Sequence, residues 1–206
     1  MNTIYALSLL IVGLISFSYC DVHDKPEACK TPDQWEGNFY SYDSIKRIRI
    51  LGKISYDAKN QRERIHQVFV LPHKNQTYDM LYLYHKKMLL VNNLVSNSCS
   101  KVSLTRPWTH FGVVKNSKYF GSNYLGAEEM EEDSLKIQTW KDEFVDNNGN
   151  HVFHVSTWTH KNCLPVFDNY ITTDSSLHTM YMDITPGIED ESVFEPSSIC
   201  DESETD

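Results

Sequence analysis

The side chains best suited to binding a metal ion are five carboxylates that lie within six residues of one another. They are Glu128, Glu129, Glu131, Glu132 and Asp133. Calcium is a hard cation that prefers carboxylate oxygens, so this run predicts a candidate calcium site. The run lacks the Asp-x-Asp-x-Asp-Gly order of an EF-hand loop, and a solvated acidic loop is the alternative interpretation.

The sequence contains no pattern typical of a catalytic centre. His151 and His154 are three residues apart, so on a strand they point to opposite faces and cannot easily share one ion. There is no Gly-x-Ser-x-Gly nucleophile motif and no glycine-rich phosphate loop. We therefore expect no enzyme activity, no catalytic residues and no cofactor other than calcium.

The first twenty residues have the pattern of a secretory signal peptide, 1–20. Residues 4–17 form an apolar run of 14 residues, which is too short to span a bilayer of roughly 30 Å. Cleavage after Cys20 leaves residues 21–200 as a single domain, followed by an acidic C-terminal tail at 201–206. No later run is long enough for a membrane span, so we expect a secreted, extracellular protein without a transmembrane segment.

Four cysteines remain after this cleavage: Cys29, Cys99, Cys163 and Cys200. An even number in an exported chain predicts two disulfides, and the sequence alone allows three connectivities. Asn75, Gln76 and Thr77 form an N-glycosylation sequon in a polar stretch between two predicted strands, so Asn75 is expected to carry a glycan.

The charge of the chain is concentrated at its C-terminal end. The net charge is −9, and residues 189–206 contribute eight acidic residues and no Lys or Arg. The rest of the chain is therefore nearly neutral. A neutral body has no basic field to attract nucleic acid, so we expect no nucleic-acid partner.

Alternating apolar and polar residues predict a series of β-strands. In 47–56, for example, Ile48, Ile50, Ile54 and Tyr56 fall on one face. Further strands are predicted at 62–71, 77–91 with a break at 85–87, 135–144, 151–160, 164–172 and 178–184. Short helices are predicted only at 107–119 and 188–194. The chain is thus predicted to be all-β with few short helices, as an antiparallel sheet that is curled or sandwiched.

Many aromatic and methionine side chains lie within the predicted strands. A curled sheet can hold a small ligand in an apolar cavity, although an ordinary core is the alternative explanation for these residues. Strand alternation gives a set of candidate wall residues: Leu81, Leu83, Phe153, Val155, Tyr170, Met180 and Met182. Composition alone favours an ordinary core, and a protein that binds an apolar small molecule is the functional hypothesis for these residues. The alternative, based on its carboxylates, is a calcium-dependent extracellular-matrix or cell-adhesion protein.

Several segments together resemble the ependymin-related family. They are CKTPDQWEG at 29–37, SYDAKNQRER at 55–64, LYLY at 81–84, CSK at 99–101, YLG at 124–126 and GIEDESVF at 187–194, followed by Pro196 and Cys200. The resemblance covers roughly residues 29–200, nearly the whole of the predicted mature chain.

This resemblance implies a fold, a pairing of the cysteines and a set of partners. The implied fold is an open half-barrel, a strongly curved antiparallel sheet like that of bacterial lipoprotein carriers, with an apolar cavity. By position, Cys29 would pair with Cys163, and Cys99 with Cys200. Members of the family are secreted or lysosomal glycoproteins. The resemblance also implies lipid binding, calcium binding, cell–matrix adhesion and a homodimer.

Overall fold

The computed structural model describes residues 26–146 and 149–201, in which eleven strands form one antiparallel sheet. The strands are β1 Gln34–Asp43, β2 Ile48–Asp57, β3 Arg62–Val70, β4 Gln76–Leu83, β5 Met88–Asn93, β6 Ser98–Ser103, β7 Lys118–Gly126, β8 Ser134–Val145, β9 His151–Thr159, β10 Pro165–Ile171 and β11 Ser176–Pro186. Their order across the sheet is β6-β5-β4-β3-β2-β1-β11-β10-β9-β8-β7. The prediction of an all-β, antiparallel fold is confirmed.

The helical content of the described residues is small. A single α-helical turn, α1, covers Ser198–Asp201, and 3-10 turns cover Tyr84–Lys86, Glu131–Asp133 and Glu191–Phe194. The predicted helix at 107–119 is wrong, because this segment is irregular and β7 begins at Lys118. The helix predicted at 188–194 is present only as the 3-10 turn Glu191–Phe194.

The sheet curls, and the face that carries Trp35 and Tyr56 is on the inside of the curve. The ring centroid of Phe111 lies 5.9 Å from that of Tyr56 on β2 and 5.5 Å from that of Trp158 on β9. In a flat sheet, strands four positions apart would be separated by about 19 Å. One ring can contact both strands only because the sheet bends around it. We call this concave side the inner face and the opposite side the outer face.

The connection between β6 and β7, residues 104–117, enters the hollow of the inner face, and we call it the plug. Trp108 stacks on Tyr56 at a centroid distance of 5.3 Å. The backbone N–H of Phe111 donates to the Tyr56 hydroxyl at 2.8 Å. The plug thereby fills the end of the hollow where β2 ends and β3 begins.

The outer face of β4 to β6 is covered by the C-terminal segment 187–201. Phe194 is buried against Leu81 and Leu90 in one apolar cluster. Nη1 of Arg64 donates to the carbonyl oxygens of Val193 and Glu195 at 2.6 Å and 3.0 Å. These contacts fix the path of the segment across the sheet.

The structure contains both disulfides in the pairing that the resemblance implied, and each one fastens a covering segment. Cys29–Cys163 links residues 29–31 to the turn after β9. Residues 29–31 in turn pair with the plug, because the N–H of Val113 donates to the Cys29 carbonyl at 2.9 Å. Cys99–Cys200 joins β6 to α1, and so holds the C-terminal segment on the outer face.

Two predicted segments fall on parts of the chain that are not described. The signal peptide at 1–20 lies outside the described residues, and so does 202–206 of the acidic tail. Among residues 26–146 and 149–201, no helix is long and apolar enough to cross a lipid bilayer.

Candidate functional site

The inner face carries an open apolar groove at the end of the hollow remote from the plug. Its volume is about 460 Å³. The lining residues come from the start of β2, the end of β3, the start of β4 and the end of β5: Ile48, Gln67, Phe69, Leu71, Gln76, Tyr78, Met80 and Val91. Strand pairing explains why they share a face, since Gln67 is opposite Tyr78 and Met80 is opposite Val91.

Aromatic packing keeps the walls of this groove in place. The rings of Phe69 and Tyr78 meet edge to face at a centroid distance of 5.7 Å, a favourable geometry for two aromatic side chains. The walls are apolar except for the amides of Gln67 and Gln76 and the hydroxyl of Tyr78, which can donate and accept hydrogen bonds. The groove therefore offers an apolar ligand a preformed surface with few polar anchors.

A ring of tyrosines surrounds one carboxyl group between the groove and the plug. Glu63 on β3 is opposite Tyr56 on β2 and Tyr82 on β4, so all three side chains project from the inner face. Burial is the main cause of the raised pKa of Tyr84 and of Tyr181, and the negative charge of Glu63 adds to the shift of each. This region is polar but enclosed.

Burial controls the protonation of these groups. Loss of solvation raises the pKa of Glu63 to about 7, and the positive charge of Arg106 opposes this shift only in part. Burial also raises the pKa of Tyr181 well above its ordinary value, with smaller contributions from the charges of Asp168 and Glu63. Both side chains keep some accessible surface, as expected of groups that line an internal hollow.

The other half of the inner face carries a charged cluster around His154. Its Nδ1 lies 2.9 Å from Asp142 Oδ1, and its Nε2 lies 2.6 Å from Asp168 Oδ1. Burial would lower the pKa of His154, but the hydrogen bond and charge of Asp168, followed by those of Asp142, outweigh it and raise the pKa to about 9. A protonated imidazole thus links β8, β9 and β10 beside a cleft of about 610 Å³.

This cluster does not have the hydroxyl-to-imidazole hydrogen bond of a serine hydrolase. The Oγ of Ser117 donates to Asp142 at 3.3 Å rather than to the imidazole. Both imidazole nitrogens are already held by carboxylates, so His154 has no free nitrogen to accept a proton from a nucleophile. The cluster is suited to holding three strands together.

The seven candidate wall residues do not share one face of the sheet. Leu81 and Leu83 lie on the outer face, where Phe194 covers them. The side chains of Phe153, Val155, Met180 and Met182 also project from the outer face. Tyr170 alone of the seven is on the inner face, with its ring 6.4 Å from that of His154.

The carboxylates of the candidate calcium site lie on the turn between β7 and β8. Glu128, Glu129, Glu132 and Asp133 are exposed, and the side chain of Glu131 is outside the described part of the structure. Among the described residues, no three His, Cys, Asp or Glu side chains converge in a way that could hold a metal ion. Calcium binding remains a prediction.

The predicted glycosylation site is sterically available. Asn75 is exposed in the turn between β3 and β4, next to Gln76 at the rim of the groove. Glycosylation itself remains a prediction.

Sequence reasoning missed Glu63 and the lining of the groove, because none of the seven candidate wall residues lies in it. The segment Arg62–Val70 has no clear alternation, and Glu63 stands between two arginines like an ordinary surface residue. Its inward direction becomes evident only from its pairing with Tyr56 and Tyr82. Phe69, Tyr78 and Met80 had the strand spacing of wall residues, but alternation alone does not say which face is concave.

Comparison with known proteins identifies a matching family and solved structures with a similar fold. A family model described as Ependymin matches residues 72–200. Mammalian ependymin-related protein 1 of Rattus norvegicus is 27% identical over 178 residues, which cover 85% of this chain and 77% of the relative. An uncharacterized conserved protein from Thermus thermophilus superposes with a TM-score of 0.54 at 8% identity, over 82% of this chain and 89% of its own. A LolA superfamily protein from Nitrosomonas europaea gives a TM-score of 0.48 at 12% identity, over 80% and 91% of the two chains.

Proposed function

The chain belongs to the ependymin family, and from its concave apolar groove we propose that it is a secreted protein that binds a lipid or another apolar ligand. The observation that carries the proposal is the contrast between the two ends of the hollow. Trp108 and Phe111 of the plug fill one end, whereas Phe69, Tyr78 and Met80 line a groove that remains open at the other.

The size and chemistry of the groove support an apolar ligand. Its volume of about 460 Å³ falls within the range of roughly 300–1,000 Å³ that is usual for small-molecule sites. Methionine adapts to varied shapes, so Met80 suits a ligand whose chain is flexible. Gln67 and Gln76 supply the few polar contacts that would orient it.

Separate observations support the proposed secretion of the protein and its proposed lack of enzyme activity. Two disulfides in a chain of this length favour an oxidising compartment outside the cytosol. The polar cluster of His154 is committed to two carboxylates, which favours binding over enzymatic activity. A homodimer and an extracellular-matrix partner remain predictions.

The proposal can be tested with two variants of matched chemistry. Met80→Asp places a carboxylate in the groove, whereas Leu51→Asp places one on the outer face, where Leu51 is already 48% exposed. The measurements are native mass spectrometry after gentle purification and the uptake of a fluorescent fatty-acyl probe. We expect Met80→Asp to reduce uptake at least tenfold and Leu51→Asp to leave it unchanged, because a charge in an apolar site must be desolvated.

Circular dichroism would check that both variants fold. Equal uptake by the wild type and a folded Met80→Asp variant would move the ligand away from this groove. Failure of the wild-type protein to take up the probe, together with no co-purified ligand, would refute the proposal itself.

A further inference from the structure

Glu63 presents a carboxyl group to the hollow without a hydrogen-bond donor. In the part of the chain that the structure describes, burial dominates its environment, and the only favourable interaction with its charge is the electrostatic attraction of Arg106. The neighbouring Tyr82 hydroxyl donates to the sulfur of Met80 at 3.8 Å, not to the carboxyl. The Tyr56 hydroxyl accepts from the N–H of Phe111.

The Glu63 side chain is only partly accessible to solvent, and a carboxylate that has little water and no donor is costly to ionise. Such groups are concentrated at functional sites. A ligand that carries a donor would supply what Glu63 lacks, and a charged donor would supply the strongest bond.

The aromatic rings beside Glu63 already hold a cation. The guanidinium carbon of Arg106 lies 5.3 Å from the ring centroid of Tyr82 and 5.6 Å from that of Tyr84. These distances are typical of cation–π attraction. The guanidinium also donates a hydrogen bond to the Tyr84 hydroxyl. Because Arg106 belongs to the plug and its side chain is exposed, the guanidinium can leave this position for solvent, where water replaces that bond.

The carboxyl and the open groove lie on one continuous surface. On β4, Met80 lines the groove and Tyr82 is the next residue on the same face. On β3, Glu63 and Phe69 are six residues apart on the inner face, which corresponds to about 20 Å. A single amphiphile can therefore extend its tail along the groove and bring its head group to Glu63.

We propose that the ligand is an amphiphile with a protonated amine head group, which binds against Glu63 and the tyrosine rings in place of the Arg106 guanidinium. The inference rests on the proposed function, since the tail occupies the groove. A fatty acid would bring a second negative charge to Glu63, which disfavours it. A fatty alcohol could donate a hydrogen bond but would gain neither the ionic attraction nor the cation–π attraction.

The test compares three ligands with the same sixteen-carbon chain on the full-length protein. These are hexadecylamine, hexadecanol and palmitate, each below its micelle-forming concentration, measured by displacement of a fluorescent fatty-acyl probe at pH 8. We expect the wild type to bind the amine at least about tenfold more tightly than the alcohol, because a charged hydrogen bond is stronger than a neutral one.

Two variants should shift this preference in opposite directions. Glu63→Gln should lower the affinity for the amine about tenfold and leave the alcohol nearly unchanged. Arg106→Gln should raise the affinity for the amine, because it removes the competing cation. A merely structural role for the two residues would weaken all three ligands together in both variants.

Each outcome separates this inference from the proposed function. Equal binding of the three ligands to the wild type, with Met80→Asp reducing all of them, would overturn the head-group inference and leave the groove assignment intact. Weaker amine binding by Arg106→Gln would also overturn it. Binding of none of the three ligands would refute the proposed function, and the inference with it.

Discussion

Replacement of Glu63 by glutamine should stabilise the protein, and only above the pH at which a free glutamate ionises. Burial raises the pKa of this carboxyl from 4.5 to about 7 in the folded state. Below pH 4.5 the folded and unfolded chains both hold the proton, so the residue costs no stability. Between these two values the unfolded chain releases the proton first, and the stability of the wild type falls as the pH rises.

The magnitude follows from the size of the shift. Each pH unit is equivalent to about 1.4 kcal/mol, so a shift from 4.5 to about 7 corresponds to a loss of about 3 kcal/mol at pH 8 as an upper bound. The glutamine variant should therefore match the wild type at pH 4 and exceed it at pH 8. In a chain of this length, 3 kcal/mol corresponds to a rise in Tm of about 6–12 °C.

Urea unfolding at a series of pH values from 4 to 8 would measure this difference directly. Glu143→Gln is the matched control, because it makes the same chemical change at an exposed position on β8. Its effect should be small at every pH. A Glu63→Gln variant that is less stable than the wild type at pH 8 would refute the reasoning, since it would mean that Arg106 stabilises the ionised carboxylate by more than burial penalises it.

Three further predictions concern the packing at Gly52, the Cys29–Cys163 disulfide and the charge of His154. Gly52→Ala should destabilise the protein by about 1–3 kcal/mol in urea unfolding, because its Cβ would lie 2.5 Å from the Phe39 ring and 2.7 Å from the His66 carbonyl oxygen. An unchanged midpoint would show that the ring and the backbone both adjust at no cost. Joint replacement of Cys29 and Cys163 by alanine should lower the free energy of unfolding by about 4–5 kcal/mol and make proteolysis within the plug faster. Unchanged proteolysis would show that the disulfide does not hold the plug. The free energy of unfolding of the wild type should exceed that of His154→Asn by the full difference below pH 6.5, and this difference should shrink as the pH rises through about 9. A difference that stays constant between pH 6 and 10 would contradict a charged imidazole.

The sequence could predict the strands far better than the direction in which their side chains point. The alternation of Ile48, Ile50, Ile54 and Tyr56 correctly placed them on one face, because the outer face of that strand is polar apart from Leu51. Both faces of β4 carry large apolar side chains, so alternation could not distinguish the groove residue Met80 from Leu81, which lies under the C-terminal segment.

The covering segments were the least predictable part of the fold. Residues 107–119, which include most of the plug, were predicted to hold a short helix, although Trp108 and Phe111 are held by contacts with distant strands rather than by local hydrogen bonds. Such positions depend on the tertiary packing of residues far apart in the chain, which local propensity does not encode. Glu63 was missed for the same reason.

The order of the strands also determines how the chain can reach its folded state. All strand pairs but one join strands that follow each other in the chain, so β1–β6 and β7–β11 are two simple meanders. The exception is the pairing of β1 with β11, where Phe39 is opposite Tyr181. Contacts of such long sequence separation form slowly, because the loop-closure entropy is lost before the contact is made. Docking of the two meanders along the β1–β11 seam is therefore the expected rate-limiting step of folding, and the hollow comes into being only when that seam closes.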